Sequence, residues 1–225
     1  DGGALHGACA RAVGLVTRFA WCFHALVSIY ALEVLRLLYG AQWHAAAPLV
    51  PLFCLSGAVA AINALTPNLL TGIGRIGLVT RVEVALQPMR MALIAGAALL
   101  FKSVEACAIA FMLSAVIAAP VFGAVRRHAM GPDGGAMRAA LLKSGAVAAA
   151  CALPPIIQMT LVGWGHKEPI SPFAWLPVAG LGVLFGLLAA ELVKHPLVDE
   201  PHVQRLLRVL LRRPAPSPSS GANPP

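Results

Sequence analysis

Charge is scarce in this chain. Only 12% of its 225 residues are Asp, Glu, Lys or Arg, and just 9 of them are acidic, whereas 59% are hydrophobic. A soluble domain is typically about 25% charged. A soluble chain of this length has too little interior to hide so much apolar surface, so lipid is the expected solvent. Catalytic signatures are missing as well: there is no nucleophile elbow, no HExxH, no pair of carboxylates at working distance and no GxxxxGK phosphate loop. The reading is therefore non-enzymatic, with no cofactor and no metal, and a nucleotide-driven pump would need a separate energy-supplying subunit. The five cysteines, Cys9, Cys22, Cys54, Cys107 and Cys151, have neither metal-site nor disulfide-framework spacing and read as small buried hydrophobes. The chain begins at Asp1 with no signal peptide, which gives the expectation of a C-terminal part of a longer protein.

What is present is a series of long apolar runs. Candidate spans lie at 19–38, 48–70, 83–101, 104–125, 144–163 and 173–193, each near the ~20 residues that cross a ~30 Å hydrocarbon core. None alternates with period two, and backbone in lipid must satisfy itself, so each is expected to be a helix. The fold class is all-α membrane protein with six transmembrane helices. Residues 1–18 are expected as a cytoplasmic lead-in, helical toward its end. Residues 194–213 are expected as an amphipathic helix, with Val203, Leu206, Leu207 and Leu210 on one face and Arg205, Arg208 and Arg212 on the other. The last stretch, 214–225, PAPSPSSGANPP, is expected to be disordered.

The basic residues test the span count. Six spans put on one side Arg11, Arg18, Arg75, Arg81, Arg126, Arg127, Arg138, Lys143, Lys194, Arg205, Arg208, Arg212 and Arg213. The other side receives Arg36, Lys102 and Lys167, with Arg90 inside a span. That asymmetry predicts cytoplasmic termini and a role for the positive charge in orientation, not in nucleic-acid binding. The loops 71–81 and 126–143 are then cytoplasmic, the latter carrying the turn-rich Gly131-Pro132-Asp133-Gly134-Gly135, while Trp164 and Trp175 are expected as anchors at the outer interface.

One stretch stands apart, Leu35 to Pro51, LRLLYGAQWHAAAPLVP. Gly40 suits the φ > 0 end of a helix, Tyr39 and Trp43 suit headgroup depth, and Pro48 is expected in the first turn of the next helix. Leu37-Leu38-Tyr39-Gly40-Ala41-Gln42-Trp43, together with the short basic loop Gly72-Ile73-Gly74-Arg75, resembles the polysaccharide and O-antigen flippase branch of the multidrug/oligosaccharidyl-lipid/polysaccharide exporter superfamily. The resemblance covers roughly residues 11–130. It implies one lobe of a two-lobe, alternating-access exporter in a bacterial inner membrane. Its cargo would be a lipid-linked oligosaccharide or polysaccharide, and polysaccharide-assembly proteins would be its neighbours.

Polar groups inside apolar spans cost ~2.5–3.5 kcal/mol each when charged, so each asks for a reason. Glu83, Gln87 and Arg90 recur at i, i+4 and i+7 on one helical face, with Pro88 between them as an expected kink. A guanidinium there is the right fork for a diphosphate. Asn63 and Asn68, flanking Pro67, could contact sugar hydroxyls or glue helices together. These five are the candidate substrate-binding residues. Glu33 with Arg36 reads as a local pair, Glu191 with Lys194 as an interface anchor, and His24 with Ser28 as packing groups. The rival readings are a drug/cation antiporter of the same superfamily, a membrane enzyme, or a scaffold of polysaccharide assembly.

Overall fold

A computed structural model describes residues 2–131, 135–164 and 170–193. The helices are α1 (Gly2–Ile29), α2 (Ala31–Tyr39), a 3-10 helix (Ala41–Leu49), α3 (Val50–Ala61), α4 (Thr66–Gly72), α5 (Ile76–Phe101), α6 (Val104–Met130), α7 (Ala136–Val162) and α8 (Pro172–Leu192). No strand occurs among the described residues. Six helical segments are long and apolar enough to cross a membrane: His6–Ile29, Ala41–Gly72, Ile76–Phe101, Val104–Met130, Ala136–Val162 and Pro172–Leu192. The chain is thus an all-α, multi-pass membrane protein. Large apolar side chains such as Leu99, Leu100, Leu161 and Phe173 are exposed all around it, as a lipid-facing surface requires. The expected amphipathic helix at 194–213 and the tail at 214–225 lie outside the described residues, as do Lys167, Lys194 and most of the turn at 131–135.

The helices pack as a row, α8–α7–α1–α3–α6–α5. Helix α1 sits in the middle and α5 at one edge. Long-range bonds fix the register of α1 against α7. Thr17 Oγ1 lies 3.0 Å from Ser144 Oγ, and the hydroxyl of Tyr30, just past α1, donates to Gln158 Oε1 at 2.6 Å; near the other end, His6 Nε2 meets the α6 cap carbonyl Gly131 O at 3.3 Å. The sequence separations of the Thr17 and Tyr30 pairs are 127 and 128, so the two helices run parallel. First and fifth crossings of an alternating series must do so. Helix α3 runs parallel to α6 in the same way: Phe53 stacks on Phe111 at 5.6 Å, and Asn63 Nδ2 donates to Ala119 O at 2.9 Å. Helices α7 and α8 are antiparallel and approach closely through Gly182 and Gly186, whose neighbours are Cys151, Pro155 and Val147. Small residues spaced by four let two backbones meet in lipid.

Several helix limits differ from those expected. The lead-in is already helix, because α1 begins at Gly2 and its apolar span starts at His6. Few large hydrophobes mark that stretch, but Thr17 and Arg18 in it are buried between helices. The helix bends at Tyr30, a fully buried residue held by Gln158 and by the Trp175 ring at 5.1 Å. Trp175 is therefore a core residue and not an interface anchor; Trp164 is exposed.

Gly40 does take positive φ, 87°, and the rings of Tyr39 and Trp43 lie 5.9 Å apart on the surface. The following segment is a 3-10 helix containing Pro48, so Pro51, and not Pro48, occupies the first turn of α3. The second span is interrupted at 62–65 by shortened turns, Ile62 N–H to Val59 O and Asn63 N–H to Ala60 O. The interruption precedes Pro67, which sits in the first turn of α4, where its missing N–H costs no bond.

Helix α5 begins at Ile76, before the expected 83, and stays helical through Pro88. Helices α6 and α7 extend past the expected 125 and start before 144, so Arg126, Arg127, Arg138 and Lys143 are helical and the loop shrinks to the few residues around 131–135. The α5–α6 link is a two-residue turn. Lys102 takes φ 49°, and the Ser103 hydroxyl accepts from Ala106 N–H at 3.3 Å as an N-cap.

Arg18 is a structural anomaly within this core. It is buried, its Nη2 donates to Gly186 O at 3.3 Å, and Nη1 has no hydrogen-bond partner among the described residues. The thiols of Cys22 and Cys151 are beside it. Replacing buried ion pairs by well-packed apolar side chains is neutral or stabilising by about 1–4 kcal/mol in known cases, and an incompletely matched buried cation carries the same kind of desolvation cost. Arg18→Met is accordingly expected to raise resistance to denaturant-induced unfolding in detergent by about 1–2 kcal/mol. A lower unfolding midpoint for the variant would show that the guanidinium stabilises the helix packing.

Candidate functional site

Helix α5 packs on α6 and touches α4, and none of its residues is buried. The face bearing Glu83, Gln87 and Arg90 is built by helical spacing alone, and the structure joins its members in sequence. Gln87 Nε2 donates to Glu83 Oε2 at 3.3 Å. Three residues on, the Arg90 guanidinium carbon lies 5.6 Å from the centroid of Phe111 on α6, a cation–π distance. Phe111 in turn leans on Phe53, so the arginine rests on an aromatic shelf that reaches back to α3. Arg90 and Glu83 are half-buried and Gln87 is exposed. A guanidinium placed over a ring can still offer N–H donors, and those donors are what a phosphate or diphosphate oxygen meets.

The two asparagines are placed differently. Asn63 is buried, donates to Ala119 O at 2.9 Å and accepts from Arg126 Nη1 at 3.3 Å. It closes the gap that the broken second span leaves against α6. Asn68 is exposed on α4, one turn beyond. The five candidate residues therefore divide into a strip on α5, an inter-helix tie at Asn63 and a surface amide at Asn68. His24, at the α1–α3 contact, lies against Gly57, where an added Cβ would sit 2.5 Å from its ring, and Trp21 Nε1 donates to Ala58 O at 2.7 Å; both are packing contacts.

Besides Arg18, two more buried charges were not legible from spacing. Glu33 is buried on α2, and its Oε1 accepts from Ile170 N–H at 3.5 Å, so it reaches across to the start of α8. With Arg36, Ser171 and Trp175 it lines an open cleft of about 650 Å³. Arg126, counted above among loop residues, is buried on α6. Their partners lie 137 and 63 residues away in sequence, so only the tertiary fold reveals them. Glu191 lies in the last turn of α8, and its expected partner Lys194 is outside the described residues. Comparisons with protein-family models, with curated proteins and with solved structures find no match for this chain.

Proposed function

We propose that this chain is a helical lobe of a flippase-type exporter. It carries lipid-linked oligosaccharide or polysaccharide across a bacterial inner membrane by alternating access, with both termini cytoplasmic. The observation that carries the proposal is the Arg90 shelf on an edge helix with no buried residue. A polar strip at mid-helix facing lipid is unfavourable, so a second lobe across a hydrated cavity is its natural complement. The Tyr39–Trp43 turn adds the family resemblance, which supplies the substrate class. In this reading Arg90 holds the diphosphate, Gln87 and Glu83 shape the strip beside it, and Asn63 acts by positioning α3 against α6.

The test is export by the full-length protein in cells. Arg90→Ala is expected to lower it about tenfold, equivalent to one lost charge-assisted contact of ~1.4 kcal/mol, and Arg90→Lys to restore part of it. A cysteine at position 90, in a background without the native cysteines, is expected to react with an impermeant thiol reagent and to be protected by lipid-linked oligosaccharide. Normal export by Arg90→Ala would remove the site.

The buried Glu33 favours one second reading, a cation-coupled antiporter. A carboxylate held inside the helices is the group such a carrier would exchange protons or sodium on. Uptake of a cationic dye driven by a sodium or proton gradient, with no oligosaccharide transport, would select that reading.

A further inference from the structure

At the basic end of the row, α6, α7 and α1 line an open groove of about 720 Å³. Its mouth carries Arg126, Arg127 and Arg138, and no acidic residue lines it. The three cations differ in mobility: Arg126 is buried and tied to Asn63, whereas Arg127 and Arg138 are exposed. Below them the lining turns wholly apolar, with Leu142, Ala146 and Ala149 along α7. The indole of Trp21 closes the back, fixed by its bond to Ala58 O and packed on Gly145, where a Cβ would meet the ring at 3.4 Å.

From Arg138 to Ala149 the groove descends eleven residues, or roughly 16 Å at 1.5 Å per residue. That is about the depth of one leaflet of a ~30 Å core. The small side chains at 145, 146 and 149 keep the trough open along α7. A triple-positive mouth over an apolar trough of leaflet depth has the charge and shape of an anionic phospholipid, phosphate up and chain down.

We infer that this groove is a binding site for an anionic phospholipid of the surrounding bilayer, with Arg127 and Arg138 forking its phosphate and Arg126 fixed behind them. The site is separate from the strip on α5 and does not depend on what the protein transports. A resident lipid there bridges the ends of α6 and α7 to α1.

The experiment is native mass spectrometry of the full chain, purified from nanodiscs containing equal phosphatidylglycerol and phosphatidylcholine of matched chains. The wild type is expected to retain phosphatidylglycerol at least fivefold over phosphatidylcholine. Arg127→Glu with Arg138→Glu is expected to abolish that preference. Arg11→Glu, an exposed charge reversal at the same end that does not line the groove, is expected to leave it intact. Ala149→Trp keeps every charge and fills the trough, and is expected to reduce retention several-fold. Helical content by circular dichroism confirms that each variant is folded. Equal retention of both lipids, equal loss with Arg11→Glu, or full retention by Ala149→Trp would overturn the site and leave only diffuse attraction. Stoichiometric displacement of phosphatidylglycerol by an added polyprenyl diphosphate would overturn the assignment of the occupant.

Discussion

Gly182→Leu is expected to separate α7 from α8 and to cost about 3 kcal/mol or more of stability in detergent. The reason is geometric. A Cβ at position 182 would collide with the backbone carbonyl oxygen of Cys151 and sit 3.3 Å from the Pro155 ring. A carbonyl in the middle of α7 cannot swing aside as a side-chain tip can, so the helices must move apart. Moving them would also loosen Gly186, whose Cβ position is 3.2 Å from that of Cys151, and the Gly186 carbonyl that holds Arg18. Even Gly182→Ala is expected to be clearly destabilising. Gly180→Ala is the control: nothing lies within 4 Å of a Cβ there, and the better helix former is expected to raise stability by up to about 1 kcal/mol. Unfolding of the three variants in a sodium dodecyl sulfate titration measures the contrast. Equal behaviour of positions 180 and 182 would mean that α7 and α8 do not pack through this glycine.

The second large effect is expected at Asn63. Removing its side chain leaves Ala119 O without that donor and the buried Arg126 without its acceptor. Stranding a buried cation is more damaging than losing a neutral bond, so Asn63→Ala is expected to cost about 2–3 kcal/mol. Arg126→Leu removes the cation itself and is expected to be milder. In Asn63→Ala/Arg126→Leu most of the Asn63 penalty should vanish, giving a coupling of about 1–2 kcal/mol by a double-mutant cycle. Strict additivity would show that the two side chains do not depend on each other. Export measured in the same variants separates the roles. A loss that follows stability marks Asn63 as a positioning residue, and a loss in a fully stable variant would mark it as a substrate contact.

Apolar run length alone was enough to reveal the helices, because lipid leaves the backbone no alternative to internal hydrogen bonds. Gly40 was legible for a similarly local reason: a chain ending one helix and restarting another needs a residue that tolerates positive φ. Limits were harder to place. The expected spans stopped at basic residues, Arg18, Arg126 and Lys143, on the assumption that charge means water. Helices α1, α6 and α7 continue through these positions, since Arg18 finds Gly186 and Arg126 finds Asn63. The bend at Tyr30 and the interruption at 62–65 carry no proline or glycine at the break itself. The Tyr30 bend accompanies contacts with Gln158 and Trp175, groups distant in sequence. At the candidate site, Glu83, Gln87 and Arg90 are related by helical periodicity and were visible together. The Phe111 shelf under Arg90 depends on the α5–α6 hairpin and was not.

The parallel pairing of α1 with α7 has a consequence for synthesis. Thr17 and Arg18 reach the membrane before their partners: Ser144 and Gly186 follow 127 and 168 residues later. At roughly 5–20 residues per second, a ribosome needs about 8–34 s to make the second interval. Through that interval the first helix carries a guanidinium that its neighbours have not yet enclosed. Until the fifth and sixth described crossings arrive, that guanidinium favours the headgroup boundary over the hydrocarbon.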